Sequence, residues 1–310
     1  MKSNNRVRGF YKIETFKATQ SEAGLREIPG SRVCHAEFEN LITDLGLDQL
    51  GTKSPHNCTS NCYVGSGSTT PTVNDTDMSA YKAIHNTLQS SARSAQASTD
   101  PWYLSLQKVY RFDQGDAAGN LSEVGVGWAN TSSGNLFSRA LIQDADGNPS
   151  SITVLSDEYL DVTYELRIYP ELDDVTGVVT IGGVDYDYIA RPCRVSTAGS
   201  SAWDFDRSGN SGVYAYAYAG DIGDVTGLPT GTSVSGSTAD GGYSAGSFQA
   251  SGQYSWGLNQ ANFGGVRSIA ANTGWARWQV QFAAVSDGSA IPKDSETVLT
   301  ITLSHSWARG

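Results

Sequence analysis

The chain has 310 residues, with 21 Lys and Arg against 32 Asp and Glu, and a formal net charge of −11. This length allows one large domain or two of ordinary size, each able to bury its own core. The acidic balance argues against general nucleic-acid binding, which needs a basic surface. Charged residues make up only 17% of the chain, and the 34 Gly and 15 Tyr are typical of a β-rich protein with a polar, uncharged surface.

The sequence predicts neither a membrane span nor a secretion signal. No apolar run approaches the roughly 18 to 20 residues that a membrane span needs. The first residues lack the apolar core of a signal peptide, so we expect assembly in a cytoplasm. The cysteines are too few for a disulfide scaffold, which predicts reduced, buried thiols at Cys34, Cys58, Cys62 and Cys193.

Residues 1–30 are predicted to form an extended arm. Its basic side chains fall close together: Lys2, Arg6, Arg8, Lys12 and Lys17. Such a segment is either an arm that docks on an acidic neighbour and becomes ordered on assembly, or a solvated flexible start.

One short helix is predicted, over residues 36–50. Phe38, Ile42 and Leu45 have helical spacing, and Gly51 follows as a stop. A turn-rich segment then leads to residues 78–98, which have some helix-forming residues but no clean apolar stripe.

Strands dominate the middle of the chain. From Trp102 to Phe112 apolar residues alternate with polar ones, interrupted by Lys108. The segments FSRALI and SITVL flank an Asp-Gly turn within residues 144–148, which predicts a hairpin. Residues 160–168 are apolar at every second position, so this is a half-buried strand of about ten residues.

The last third has a different composition, rich in Gly, Ser, Tyr and Ala. Gly182-Gly183 between two β-branched runs predicts a tight hairpin just before it. VYAYAYAG places three tyrosines on one strand face, with Val and Ala on the other, and WARWQVQFAAV and TVLTITLSHSW are two more alternating strands.

These elements predict a mainly β protein with one or two antiparallel β-sandwich or jelly-roll-like domains and one short N-terminal helix. We place a domain boundary near residue 192. The arm would be residues 1–30, a β-rich module residues 31–191, and a Gly/Ser/Tyr-rich β domain residues 192–310.

Three patterns imitate reactive or metal-binding sites. GYSAG would make Ser244 a nucleophile with Asp287 and His305 as partners, but neither an apolar strand nor a helix flanks it. The acidic turn at residues 144–148 has its Gly at the wrong position for a calcium loop.

Cys58 and Cys62, with His56 nearby and Cys34-His35 upstream, supply zinc-ligand types at a loose spacing. A structural zinc therefore stays open beside ordinary thiols. We predict no catalytic, cofactor-binding or metal-binding residue and no enzymatic activity.

Aromatic residues of the last third are the candidate binding residues. Tyr and Trp supply rigid contact area in recognition surfaces and stack against sugar faces, whereas buried ones fill a core. We expect most of the Trp side chains in the core, and leave open whether the Tyr face is exposed or lies at a subunit interface. The candidate binding surface is Tyr214, Tyr216, Tyr218 and Trp256.

Three stretches, in order, resemble one family of structural proteins of tailed bacteriophages: NLITDLGLDQLG (residues 40–51), YVGSGSTTPTVNDTD (63–77) and the strand-rich block 121–170. The resemblance implies a non-enzymatic virion component of the tail, baseplate or tail-fibre region. It would assemble as a homo-oligomer with neighbouring virion proteins, after synthesis in the host bacterial cytoplasm. Residues 191–310 have no counterpart in the resemblance.

Two alternatives belong to other classes. The aromatic C-terminal part would serve host attachment in an adhesin that binds a surface glycan or a pilus. A polysaccharide depolymerase is the third alternative, with a pair of carboxylates as its requirement.

Overall fold

The computed structural model describes residues 2–22, 24–85, 87–199, 202–207 and 213–310. As the sequence predicts, these residues are mainly β. The helices are α1 (Asp44–Gln49) and α2 (Pro55–Cys58). The first strands are β1 (Lys2–Phe16), β2 (Ala18–Ser21), β3 (Gly24–Glu27), β4 (Val33–Glu39), β5 (Leu41–Ile42), β6 (Asn61–Gly65), β7 (Tyr81–His85), β8 (Leu88–Gln96), β9 (Tyr103–Phe112), β10 (Gly119–Leu121), β11 (Glu123–Gly127) and β12 (Leu136–Leu141). The later strands are β13 (Ile152–Val154), β14 (Tyr159–Pro170), β15 (Val175–Ile181), β16 (Val184–Pro192), β17 (Tyr214–Tyr218), β18 (Ser233–Ser235), β19 (Ser237–Tyr243), β20 (Gln249–Trp256), β21 (Ser268–Asn272), β22 (Arg277–Ala284) and β23 (Leu299–Arg309).

Three larger sheets contain most of these strands. The long sheet has eight strands in the order β19-β20-β23-β1-β14-β9-β8, with β4 also paired to β1. Its neighbouring strands are antiparallel except β1 and β23, which run parallel. A five-stranded sheet has the order β5-β12-β11-β6-β7, and a six-stranded sheet the order β15-β16-β22-β21-β17-β18. Two small sheets pair β2 with β3 and β10 with β13.

The five-stranded and six-stranded sheets cover the same face of the long sheet. On that face β1 buries Val7, Tyr11 and Ile13 among residues of the five-stranded sheet. Farther along the long sheet, β20 and β23 bury alternate apolar residues against the six-stranded sheet. Asn5 is in register with Trp307 across the parallel pair, and both are buried, so the two halves share one inner face. The arrangement is a β-sandwich with one long layer.

The prediction of an N-terminal arm is wrong for the described residues. β1 lies inside the long sheet, hydrogen-bonded to β14 on one side and to β23 and β4 on the other. Arg6, Arg8 and Lys12 lie on its outer face, where Arg8 pairs with Glu39 and Lys12 with Glu14. These basic side chains are therefore part of the polar face of a central strand. The β2–β3 hairpin that follows β1 forms a separate two-stranded sheet.

The helix predicted over residues 36–50 is much shorter. α1 begins at Asp44, where the side chain of Thr43 accepts the backbone N–H of Gly46 as an N-cap. The residues before it belong to β4 and β5, and Ala36 and Phe38 are buried at a spacing of two. A short apolar run fits both helical and strand spacing, and pairing with β1 decides it as a strand. A second helix, α2, begins after Ser54.

The polar stretch 78–98 contains strands. β7 pairs with β6 at an edge of the five-stranded sheet, and β8 forms an edge of the long sheet. The exposed residues of β8 explain why no apolar stripe marks this segment.

The predicted boundary near residue 192 does not divide the sheets. β19, β20 and β23 follow that residue, yet they continue the long sheet whose other strands precede it. One buried cluster accordingly contains Val7 and Leu166 together with Trp275 and Trp307. Composition suggested two domains, but strands from both sides of residue 192 pair in one sheet.

Two hairpin predictions have different outcomes. Ile181 pairs with Val184 across Gly182-Gly183, both with positive φ, so this tight hairpin is confirmed. The Asp-Gly turn at residues 144–148 is also formed, with a bridge between Gln143 and Pro149. Beyond that bridge the flanking segments separate, because β12 pairs with β11 and β5, whereas β13 pairs with β10.

Among the described residues, none of the helices has the length and apolar character needed to cross a membrane.

Candidate binding surface

The tyrosine face predicted in the last third is formed by β17. Ala215 and Ala217 are fully buried toward the six-stranded sheet's core, which leaves the three tyrosines on the opposite face. Tyr216 is 36% exposed, Tyr214 is half-buried and Tyr218 is buried. The rings of Tyr214 and Tyr216 meet edge to face, with centroids 6.2 Å apart. Because Tyr alternates with Ala, one face of β17 is aromatic and the other packs closely against the core.

Arginines surround this face. Arg207 and Arg277 place their guanidinium carbons 5.1 and 5.3 Å from the ring centroid of Tyr214. Arg277 also donates to the Tyr214 hydroxyl at 3.1 Å. A depression here is lined by six residues, which we call the Tyr–Arg surface: Arg194, Arg207, Tyr214, Tyr216, Tyr218 and Arg277. Leu228 and Ser233 complete its rim.

The Tyr–Arg surface is locally cationic in an acidic chain. Its described lining residues include three arginines and no carboxylate. Arg207 Nε lies 3.1 Å from Oδ2 of Asp204, a carboxylate outside the lining of the depression. Burial raises the pKa of Tyr218, and the nearby Arg277 and Arg194 act in the opposite direction. Tyr218 therefore presents a neutral hydroxyl near neutral pH.

Trp256 does not belong to this surface. Its side chain is fully buried, and its Nε1 donates to the carbonyl of Val234 at 3.1 Å. The prediction that Trp256 forms part of an exposed binding surface is wrong, because β20 turns this residue into the core between the long and six-stranded sheets. The other tryptophans of the last third are core residues, as expected: Trp203, Trp275, Trp278 and Trp307.

The residues of the hydrolase pattern do not form a triad. Ser244 is exposed in the hairpin turn between β19 and β20, so no elbow between a strand and a helix exists there. Asp287 is exposed and accepts the backbone N–H of Ser289. His305 is fully buried against Trp275 and Trp307, with ring centroids 5.1 and 5.2 Å away.

The cysteine and histidine residues near α2 do not form a cluster of metal ligands in the described parts of the chain. Across the described parts of the chain, no three His, Cys, Asp or Glu side chains are grouped as metal ligands would be. Cys58 and Cys62 are buried free thiols, and burial raises the pKa of both. Cys34 is exposed on β4.

The acidic turn at residues 144–148 is held by its own hydrogen bonds. Asp144 accepts the backbone N–H groups of Asp146 and Asn148 at 3.0 and 2.9 Å. Asp224 does the same for Thr226 and Gly227. These are local turn contacts.

A second candidate region lies in the five-stranded sheet and the segments packed against it. Residues 40–51, 63–77 and 121–142 meet around a buried ion pair in which Arg139 Nε donates to Glu123 at 2.8 Å. Arg139 also donates to Asp75 at 2.7 Å and to the carbonyl of Thr69 at 2.8 Å. The Glu123 carboxylate accepts three backbone N–H groups, those of Gly67, Ser79 and Ala80.

Backbone contacts complete this region. The N–H of Asp44 at the start of α1 donates to the carbonyl of Val73 at 2.7 Å, and Thr43 donates its N–H to Phe137 at 3.0 Å. β6 from the second stretch pairs with β11 from the third. We call the region formed by residues 40–77 and 121–142 the motif module.

Sequence reasoning missed two sets of residues. The three arginines of the Tyr–Arg surface come from separate segments, and only the fold brings them together. Lys108, which seemed to interrupt a strand, is buried and donates to the carbonyls of His56 and Thr59. Its place in an otherwise apolar alternation was the available signal for a buried polar role.

Compared with models of known protein families, with curated proteins and with solved structures, the chain matches none of them.

Proposed function

We propose that this protein is a non-enzymatic structural component of a tailed-phage virion, in the tail, baseplate or fibre region, and that it works as a homo-oligomer. One observation carries the proposal. The first two of the stretches that resemble a phage family, and residues 121–142 of the third, pack together in the motif module around Glu123 and Arg139. Resemblance in three stretches of one folded unit is stronger support than resemblance in three unconnected loops.

The sheet edges support assembly with further copies. Within the described residues, β15 and β18 end the six-stranded sheet, and β8 and β19 end the long sheet. An edge strand carries unpaired backbone groups that another chain can use. On β15, Val178 is 60% exposed, so this edge also offers apolar contact area.

Immunolabelling of intact phage particles tests the virion proposal. Antibody raised against the purified chain should label particles in negative-stain electron microscopy. Label at the distal tail or fibres supports a role in the attachment apparatus, whereas label along the tail, neck or head makes the protein a building block elsewhere. The proposal is overturned if no particle is labelled by an antibody that does detect the purified chain.

Homo-oligomer formation is tested on the purified chain. Light scattering coupled to size-exclusion chromatography should give a mass that is a multiple of 33.0 kDa. Replacing Val178 with Lys should shift the mass toward the monomer, because charge on an edge strand opposes pairing. Val298→Lys is the matched control, since Val298 is equally exposed outside the strands. A monomer mass at all concentrations contradicts the homo-oligomer.

Host attachment is the second candidate function. It is favoured by the Tyr–Arg surface, which combines an exposed aromatic ring with arginines on a rigid sheet. Aromatic and arginine side chains are enriched where proteins recognise other molecules.

A further inference from the structure

We propose that the Tyr–Arg surface binds an acidic glycan, through a sugar ring that carries an anionic group. The inference rests on host attachment as the function and names the class of ligand. It requires a ring to stack on, a cationic group beside that ring, and a surface that a sugar can reach.

The stacking position is Tyr216. Its ring is partly exposed on the outer face of β17, and its cross-strand neighbours, Ser235 and Ala270, are small. Small neighbours leave room beside the ring, and Tyr216 is 36% exposed. Aromatic rings bind the apolar C–H face of a sugar and keep their own polar edge in water. Because Ala215 and Ala217 fix β17 against the core, the ring is presented by a rigid element.

The anionic group is recognised by the arginines. Arg207 and Arg277 lie on the ring of Tyr214, which is itself in edge-to-face contact with Tyr216. A guanidinium group binds carboxylate or phosphate oxygens through two parallel N–H donors. Tyr214 thus keeps two guanidinium groups one ring away from the proposed stacking position. Arg277 is buried, with 4% exposure, so direct contact with the anion falls to Arg207, whose side chain is 30% exposed. An anion on the stacked sugar would lie toward the arginines that line the depression.

A peptide is a poorer fit to this position. β17 lies between β18 and β21, and its residues pair with both. A peptide therefore cannot join the sheet here by β-strand addition, which is the mode that uses main-chain groups. Recognition must use side chains alone, and those present are aromatic rings, guanidinium groups, Leu228 and the hydroxyl of Ser233. This set suits a sugar ring with an anion and a hydroxyl.

Titration calorimetry on the full-length chain tests the proposal with four probes. An oligoglucuronate supplies a carboxylate, a sugar monophosphate supplies a phosphate, a neutral oligoglucose of equal length supplies neither, and an acidic peptide supplies carboxylates without a sugar. We expect the oligoglucuronate or the sugar monophosphate, or both, to bind at millimolar or lower concentration, and the neutral oligomer to bind about tenfold more weakly. Binding should weaken with added salt.

Two variants and two matched controls locate the site. Tyr216→Ala should weaken binding about fivefold and Arg207→Gln about tenfold, with the thermal unfolding midpoint retained. Tyr81→Ala and Arg26→Gln remove an exposed tyrosine and an exposed arginine elsewhere, and should bind as the unmodified chain does. Equal affinity for the neutral oligomer, unchanged affinity of both site variants, or binding of the acidic peptide alone overturns the proposal.

The outcome is separable from that of the virion proposal. A particle that is labelled by antibody while the chain binds no acidic probe refutes this inference and leaves the structural role standing. If binding depends on Tyr216 and Arg207 but the antibody labels no particle, the acidic-glycan site is supported and the virion role is refuted.

Discussion

Lys108 lies on the core-facing side of β9, between buried Leu106 and Tyr110. Its Nζ donates to the carbonyls of His56 and Thr59 at 2.6 and 2.9 Å, which fastens the α2 segment to the long sheet. Burial lowers the pKa of this ammonium to about 7. The apparent break in the alternation of residues 102–112 is therefore a polar group that occupies a core position and is satisfied by backbone oxygens.

Because the imidazole of His305 is buried, we expect the protein to lose stability in acid. Burial lowers the pKa of its imidazole to about 3, against an ordinary value of about 6.5. As pH falls through 6.5 the unfolded chain takes up the proton and the folded chain does not, so stability is lost progressively down to pH 3. We expect this residue alone to cost about 2 kcal/mol at pH 5.

Urea unfolding at several pH values measures this effect. His305→Phe should flatten the dependence of the free energy of unfolding on pH between 5 and 7. Leu303→Ala, a buried change on the same strand, should lower stability by a similar amount at every pH. An unchanged slope in His305→Phe would show that other groups govern the acid response.

Arg139 predicts a large loss of stability on truncation. Arg139→Met leaves the fully buried Glu123 carboxylate without its cationic partner, and we expect a cost of about 3–5 kcal/mol in urea unfolding. Arg8→Met, which removes the surface pair with Glu39, should cost less than about 1 kcal/mol. The double variant Glu123→Gln/Arg139→Met should be less destabilised than the sum of its single changes. Similar losses for Arg139→Met and Arg8→Met would contradict a buried ion pair.

At the scale of elements, β1 has the most neighbours of any strand in the long sheet. It pairs with β14 from Asn5 to Phe16, with β23 over its first half and with β4 over its second half. A strand in that position organises the layer on which both smaller sheets pack. The β2–β3 hairpin that follows it makes no comparable pairing.

Removal of β1 should abolish folding. A chain that lacks residues 1–16 leaves the edges of β14, β23 and β4 unpaired, and we expect no cooperative transition in thermal unfolding by circular dichroism. The control replaces residues 20–25 of the hairpin with Asn-Gly, which retains the Thr19–Arg26 pair and should change the midpoint little. A truncated chain with an unchanged transition would restore the interpretation of a free arm.

How far sequence predicts these elements depends on whether the signal is local. The hairpin at Gly182-Gly183 was predictable because two glycines satisfy a backbone requirement within four residues. The tyrosine face was predictable because alternation decides the two faces of a strand. The place of β1 was not, since its partners lie up to about 300 residues away, and its alternating basic residues suit an arm and an outer strand face equally well.

At the scale of the whole molecule, one layer spans both halves of the chain. The compositional change after residue 192 coincides with no division of the long sheet, and the buried cluster of Val7 also contains Trp307. Composition records which residues cover a surface, whereas sheet order depends on pairings that no short window contains. The arginines of the Tyr–Arg surface were unpredictable for the same reason.

A shared layer predicts a single unfolding transition. Urea unfolding followed by tryptophan fluorescence and by far-ultraviolet circular dichroism should give coincident curves. Residues 192–310 expressed alone should not fold, because β23 loses β1 as its neighbour. Two separate transitions, or a folded isolated fragment, would support the two-domain organisation instead.

The parallel pairing of β1 with β23 also sets a timetable for synthesis. Asn5 donates to the carbonyl of Ser306, a contact that spans 301 positions. At about 5–20 residues per second, a ribosome needs about 15–60 s to deliver the second strand after the first. During that interval the first half of β1 lacks its partner on one side, so the nascent chain is exposed to wrong pairing, and we expect it to depend on chaperones in the cell that makes it.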